Sequence, residues 1–434
     1  MFAALKMKSK RRLCLAIFDA AVEAVLPARF LPPALPAPPE TGQLIILAAG
    51  KAAGSMALAA ETHYLKTLKF PPERLSGLSV ARHGYGQKMQ IVQQIESGHP
   101  IPDASSVAAS EKMLMLAEGA GPADLVVFLL SGGASANLVA PAGRITLEEK
   151  QAFTRSLLRS GAPIDAMNTL RKHLSRIKGG RLAAKVAPAR LVTVALSDVP
   201  NDDLSTIGSG PTVPDVTTLE EARAVLGRYA ITAPEAIAAA LSDPSNESIK
   251  PGDPVFANAR ALIAARPADA FAAACNEAEQ LGYRVVNLGN ELEGEARAVA
   301  AQHAAIALRE AGLGEKTALI SGGELTVTIK GEGRGGPNQE YALALAIALQ
   351  GASGIVAFAA DTDGTDGGRG EPTDPAGALI DSTTLSRAAS LGISPQQFLD
   401  RNDSTGFFEV LGDLHISGPT LTNANDLRVI LIGD

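Results

Sequence analysis

Tryptophan is absent from this 434-residue chain, and aromatic residues make up only 4% of it. The interior must therefore rest on Ala, Leu, Val and Ile rather than on ring packing. Cysteine is almost as scarce: only Cys14 and Cys275 occur, both in apolar, helix-like stretches. That argues against a disulfide framework and predicts a reducing, cytoplasmic setting. No apolar run reaches the roughly 18 residues that a membrane span needs, so no membrane partner is expected. Basic residues are in deficit, with a net charge of −7, which argues against a nucleic-acid binder. The six histidines form no H-x-x-x-H pair and no cluster with cysteine, which argues against a zinc centre. A G-x-x-x-x-G-K-[ST] run is also missing, so any nucleotide chemistry is not that of a P-loop.

Four breaks, each closing an apolar strand-like run, carry the positive information: LIILAAGK (44–51), LVVFLLSGGAS (125–135), LVTVALSDVPNDD (191–203) and IVAFAADTDGTDGG (355–368). In open α/β sheets, ligands bind beyond the carboxyl ends of the strands. A strand ending in Ser-Gly-Gly offers backbone N–H groups to an anion, and one ending in Asp-x-Asp offers carboxylates to a cation or a hydroxyl. A chain that does both is suited to phosphoryl transfer.

The first 26 residues imitate an export signal, with Lys6, Lys8, Lys10, Arg11 and Arg12 ahead of an apolar stretch. Asp19 and Glu23 interrupt that stretch, and Leu15, Phe18, Val22 and Val25 recur at helical spacing, so an amphipathic helix is expected. Strands are expected at 44–49, 77–81, 91–95, 125–130 and 191–196, with helices at 52–65, 105–117, 147–160 and 165–186 between them. Such alternation predicts a mostly parallel sheet covered on both faces. Length favours two domains, and the polar segment DPSNESIKPGDP (243–254) is the candidate boundary. The expected division is 1–245 and 246–434. In the second part, helices are expected at 268–281, 293–311 and 339–349, and strands at 284–288, 317–321, 325–330 and 427–432.

Candidate site residues follow from these breaks. Ser131, Gly132, Gly133 and Ser135 read as an anion turn, and Ser321, Gly322, Gly323 and Glu324 repeat it. Lys51 opens a helix, where a cation opposes the helix dipole, so function is the better reading of it. Asp361, Asp363 and Asp366 suit a divalent cation or a hydroxyl. They are not an EF-hand, because positions six and twelve hold Asp366 and Pro372. Asp198, Asp202 and Asp203 form a second carboxylate source, and Arg171, Lys172, Arg176 and Lys178 form a cationic stretch. The loop Gly331–Gly336 spells G-x-G-x-x-G, which keeps a nicotinamide-dependent oxidoreductase open as an alternative.

Taken together, LAAGKAAGSMA, SGHPIPD, SGGASANLVAP, MNTLRKHLSRIKGGRLA, LSDVPNDDLSTIGSGPTVPD, ISGGELTV, GRGGPNQE, DTDGTDGG and PTDPAGALID resemble the glycerate 2-kinases with a C-terminal MOFRL domain. The matches run in order from about residue 47 to residue 381. The resemblance implies an α/β fold: a Rossmann-like three-layer α/β/α domain, a smaller α/β MOFRL domain, and an active site in the cleft between them. It implies ATP- and Mg²⁺-dependent phosphorylation of D-glycerate at the 2-hydroxyl. The lysine matching Lys51 and an arginine of the Gly-rich loop would be catalytic. This chain has Pro337 where the family's loop more often has arginine, so that role is assigned to Arg334. On this reading Asp198 joins Lys51 and Arg334 in catalysis, and Asn338 joins the two Ser-Gly-Gly turns on ATP. Asp363, Asp366 and Arg171 take the substrate, and Asp198 with Asp361 holds the metal. Relatives labelled hydroxypyruvate reductases give the alternative its name, and a homodimer is the expected assembly.

Overall fold

A computed structural model describes residues 2–368, 371 and 373–433; of residues 2–8 and Pro200 only the backbone is described. The chain forms two compact units, Pro27–Ala265 and Met1–Leu26 with Arg266–Asp434. This partition differs from the expected one in two ways, and both have a structural cause. The strand Ala259–Ala265 pairs in parallel with Arg190–Leu196, so residues beyond 245 complete the first unit's sheet. The helix Phe2–Ala24 buries Cys14, Ile17, Phe18 and Ala21 against the second unit. There Phe18 meets Phe358 edge-on at 5.2 Å, and Arg11 bridges Asp381 and Asp413 at 2.6 and 2.7 Å.

In the unit Pro27–Ala265, the strands are β1 (Leu44–Ala49), β2 (Leu75–Arg82), β3 (Gln93–Ser97), β4 (Leu125–Leu130), β5 (Arg190–Leu196) and β6 (Ala259–Ala265). They form one sheet in the order β3-β2-β1-β4-β5-β6, and every pairing is parallel. β1 and β4 are buried at every position, as continuous apolar runs between two helical layers must be. This is the doubly wound order whose direction reverses between β1 and β4. The expected 165–186 helix is two helices, Ile164–His173 and Arg181–Val186. The chain turns between them at Gly179 and Gly180, whose φ values are +58° and +79°.

The segment 243–254 is no linker, because its Glu247 ties three elements together. Its carboxylate accepts from His173 Nε2 and from the Leu219 N–H, both at 3.0 Å, and pairs with Lys250 at 2.6 Å. Burial would raise the Glu247 pKa, but Lys250, the Leu219 amide and His173 together pull it down to about 2. A depressed carboxylate pKa stabilises the fold above the unfolded value, and that gain is lost as pH falls through the folded value. The thermal midpoint of Glu247→Gln is therefore expected below wild type at pH 6. Titrated downward from about pH 4.5 to about 2, the gap should close; a constant gap would remove Glu247 as its cause.

In the other unit, the strands are β7 (Arg284–Asn287), β8 (Thr317–Gly323), β9 (Val356–Asp361), β10 (Gly377–Asp381), β11 (Leu414–His415) and β12 (Asp426–Ile432). Their order is β11-β10-β9-β12-β8-β7. Only β7 and β8 run parallel; β12 inserts antiparallel between β8 and β9. The stretch 325–330, expected as a strand, contributes a single bridge from Thr326 to Glu295. The helices Ala296–Ala311 and Pro337–Leu349 pack on this sheet, and Tyr341, Leu343 and Leu345 lie in its core.

Candidate active site

The turns that follow β1 and β4 are tied to one another by main-chain groups at the point where strand order reverses. The Lys51 N–H donates to Gly132 O at 2.8 Å, and the Ser131 N–H donates to Ala49 O at 3.0 Å. Ser131, fully buried, accepts from the Ala52 N–H through Oγ at 3.0 Å. Its hydroxyl therefore serves the turn rather than a ligand. Gly133 has φ +82°, and a Cβ there would lie 3.0 Å from His99 Nε2 and 3.1 Å from Lys51 Cγ. The lysine stem and the His99 ring thus flank a glycine that only a bare backbone can fill. His99 forms no motif with the other histidines in the sequence, and its place beside Gly133 depends on the folding of three separate segments.

Ser135, the last residue of the predicted turn, leads into a polar network. Its hydroxyl lies 3.1 Å from Ser209 Oγ, and Ser209 donates to Asn168 Oδ1 at 3.1 Å. Arg171 Nη1 donates to the same Asn168 oxygen at 3.3 Å. Lys178 Nζ donates to Ser135 O and Leu138 O at 3.0 and 2.7 Å, which fixes the chain just past Gly133. The expected cationic stretch is thus split. Lys172 is neutralised by Asp215 at 3.0 Å and Arg176 by Glu111, whereas Arg171 and Lys178 meet no carboxylate among the described residues.

Burial lowers the pKa of Arg171, and burial, then Lys150 and Arg171, push the Lys178 ammonium well below the usual lysine range. After β5, Asp198 is half-buried, followed by Asn201 and Asp202 in left-handed backbone at φ +58° and +55°. Asp203 closes that turn by accepting from the Ser205 N–H at 2.8 Å.

The second unit corrects several expectations. Ser321, Gly322 and Gly323 are not a turn but the end of β8, paired with β12. The Gly322 N–H donates to Gly289 O at 2.8 Å, and a Cβ on Gly323 would lie 2.2 Å from Leu292 N. This segment has no free N–H cradle at Gly322, and its glycines serve close packing; Glu324 beyond it is exposed.

Asn338, fully buried, donates through Nδ2 to Asp366 at 3.2 Å and to Asp426 at 2.7 Å. Asp366 accepts from the backbone N–H groups of Asn338 and Gln339 at 2.9 and 2.8 Å, so it caps the helix Pro337–Leu349. Burial raises its pKa to about 6 against those donors. Asp363 is likewise buried and accepts from the Thr365 N–H at 2.8 Å, and Asp361 accepts from the Asp363 N–H at 2.9 Å. Asp366 and Asp363 build scaffold, because their carboxylates accept from neighbouring backbone N–H groups. Among the described residues, no three carboxylate, imidazole or thiolate side chains converge to hold a metal ion.

Arg334 differs from them in being exposed and paired with exposed Glu409 at 2.6 Å. It lines a cavity of about 530 Å³ with Gly333, Gly335, Asp374, Thr405 and Glu409. The surrounding glycines explain the G-x-G-x-x-G spelling. A Cβ on Gly331, Gly333 or Gly336 would lie within 2.4 Å of Arg401, Asp403 or Asp366 respectively. The helix N-terminus that a pyrophosphate would need is occupied by the Asp366 carboxylate. Among the described residues no strand leads directly into the loop either, so a dinucleotide fingerprint is not formed here.

A doubly wound sheet carrying a glycine turn and a lysine at its reversal point has the topology at which α/β enzymes bind their ligands. Residues 13–242 match a domain described only as of unknown function, DUF4147, and residues 317–426 match the MOFRL family. The chain is 37% identical to the D-glycerate 2-kinase of Thermotoga maritima, over 98% of this chain and 99% of that protein. It is 46% identical to an Agrobacterium vitis protein provisionally named a hydroxypyruvate reductase, over 98% and 95% of the two chains. The crystal structure of glycerate kinase from Thermotoga maritima superimposes with a TM-score of 0.83, at 36% identity, covering 98% of this chain and all of that one. The chain belongs to the glycerate 2-kinase family and is an enzyme of the kinase class. Among the described residues, no helix is long and apolar enough to cross a membrane.

Proposed function

We propose that this enzyme transfers the terminal phosphoryl group of ATP to the 2-hydroxyl of D-glycerate, giving 2-phosphoglycerate and ADP. The observation that carries the reading is the joined pair of turns at the β1/β4 reversal, where Lys51 lies against the bare Gly133 backbone. A phosphoryl transition state is loose and needs positioning and charge neutralisation more than a nucleophile. Gly132 and Gly133 offer the close backbone approach, and Lys51 supplies the cation. Arg334, in the other unit, is the second candidate cation, because its exposed pair with Glu409 is cheap to exchange for a phosphate. Arg171 faces the substrate end, beside the hydroxyls of Ser135 and Ser209. Asp198 orients the reacting hydroxyl or accepts its proton, a role requiring hydrogen-bond reach to that group.

The donor set suits a metal that arrives with the nucleotide. Mg²⁺ usually takes one or two protein carboxylates together with nucleotide phosphates, and we assign that role to Asp198, which follows the carboxyl end of β5. Bound there, the ion would neutralise phosphate charge.

The names of the Agrobacterium vitis relatives favour a second reading, reduction of hydroxypyruvate with NAD(P)H. A coupled assay separates the two. ADP release that requires D-glycerate, with no oxidation of NAD(P)H by hydroxypyruvate, is the expected result. Oxidation of the nicotinamide without ADP release would establish the second reading.

A further inference from the structure

Lys150 is a buried cation to which the proposed reaction has given no role. It sits on the helix Leu147–Arg159, whose capping box of Thr146 and Glu149 marks it in sequence as an ordinary amphipathic surface helix. Yet the Lys150 side chain is only 6% exposed. Among the described residues, no acceptor bonds its Nζ and no carboxylate pairs with it. The charges it interacts with are also cations: Arg171 lowers its pKa, and Lys150 in turn lowers that of Lys178. Burial and Arg171 bring Lys150 to about 8. Lys150 and Lys178 are buried and Arg171 is half-buried. Lys178 bonds only neutral carbonyls and Arg171 only a neutral amide, so three neighbouring cations have given up much of their water without gaining an anion, which costs stability. A fold keeps such an arrangement where a ligand brings the missing charge.

We propose that Lys150, with Arg171 and Lys178, forms the seat for the carboxylate of the small hydroxy-acid substrate. This inference deepens the reading above and rests on it. The neighbouring groups match a hydroxy acid better than a polyphosphate: the hydroxyls of Ser135 and Ser209 and the amide of Asn168 adjoin Arg171. In a 2-hydroxy acid the reacting oxygen is one carbon from the carboxylate. Lys178 holds Ser135 O, two residues past Gly133, so an acid seated on these cations would present its 2-hydroxyl toward the Gly133 turn. Lys51 would then be left for the phosphates.

The test is Lys150→Met, which keeps the volume and removes the charge, alongside Lys150→Arg and Arg171→Gln. Calorimetry measures binding of D-glycerate, of D-lactate and of a non-hydrolysable ATP analogue with Mg²⁺; thermal unfolding and steady-state kinetics accompany it. Without ligand, Lys150→Met should unfold at or above the wild-type temperature, because like-charge repulsion has been removed. Its Kd and KM for D-glycerate should rise at least about 30-fold, with nucleotide affinity within about twofold and Lys150→Arg intermediate. D-glycerate should raise the unfolding temperature of wild type and not of Lys150→Met.

Unchanged D-glycerate affinity in both Lys150→Met and Arg171→Gln would overturn the inference, as would loss of nucleotide binding alone or a wild type that binds neither acid. Turnover of glycerate with a KM indifferent to Lys150 removes the seat and keeps the kinase. Conversely, Lys150-dependent binding of D-glycerate or D-lactate by a wild type that releases no ADP keeps the seat and removes the kinase reading.

Discussion

Lys51→Met is expected to lower kcat for glycerate phosphorylation by about 10²–10³ while leaving the fold and the KM for D-glycerate nearly unchanged. The magnitude is that of removing one preorganised group which stabilises charge developing in a transition state. The fold should survive because the turn is held by the main chain: the Lys51 N–H to Gly132 O bond and the Ala52 N–H to Ser131 Oγ bond do not involve the lysine side chain. Methionine also keeps the stem that lies against Gly133. Single-turnover kinetics with saturating ATP check this, and circular dichroism with thermal unfolding confirms the fold. Turnover within about threefold of wild type would exclude Lys51 from the chemical step. A rise in the KM for D-glycerate with kcat intact would instead make it a substrate-binding group.

This prediction concerns the part of the molecule that was most legible in sequence. β1, β4 and β5 announce themselves as apolar runs because parallel strands buried on both faces cannot alternate, and the turns after them are where a doubly wound sheet binds. β6 was not legible. Its sequence, ARALIAA, is exposed at Arg260, Ala261 and Leu262, and it adjoins the polar segment that reads as a linker. An edge strand of this kind is defined by its partner rather than by its own pattern. The helix Phe2–Ala24 was legible as a helix but not as part of the second unit, because amphipathicity states that a face is buried and not against what.

The Ser-Gly-Gly turns show the same limit. Both follow apolar runs, yet 131–133 is a turn and 321–323 is strand, a difference made by the antiparallel pairing of β12 across Gly322 and Gly323. Acidic residues were misread for a related reason. Asp366 and Asp363 look available in sequence, whereas in the fold they satisfy backbone N–H groups that would otherwise be buried without partners. Lys150 gave no signal for the opposite reason: the fourth residue of a capped, charged helix is ordinarily solvated, and only tertiary packing buries it near two other cations.

The other large effect is expected at Gly50, where the fold and the site depend on the same atom being absent. Gly50 has φ +120°, and a Cβ there would lie 2.3 Å from Ser131 Oγ and 2.4 Å from Ser131 O. The serine hydroxyl could rotate away; the carbonyl could not, because Ser131 is anchored through its N–H to Ala49 O. Gly50→Ala must therefore either unfold or pry the β1 turn from the β4 turn, at a cost of about 4 kcal/mol or more from strain and overlap together. Gly161→Ala is the control within the same unit. Its φ is +71° and nothing lies within 4 Å of the added carbon, so only the left-handed backbone penalty applies, about 1–2 kcal/mol. Denaturant unfolding should rank the two in that order. Folded Gly50→Ala, assayed at low temperature, should also have lost most of its turnover, because moving the turns apart displaces Lys51 from Gly132 and Gly133. Equal destabilisation in the two variants, or full activity in folded Gly50→Ala, would mean that the close approach of these turns neither supports the sheet nor builds the site.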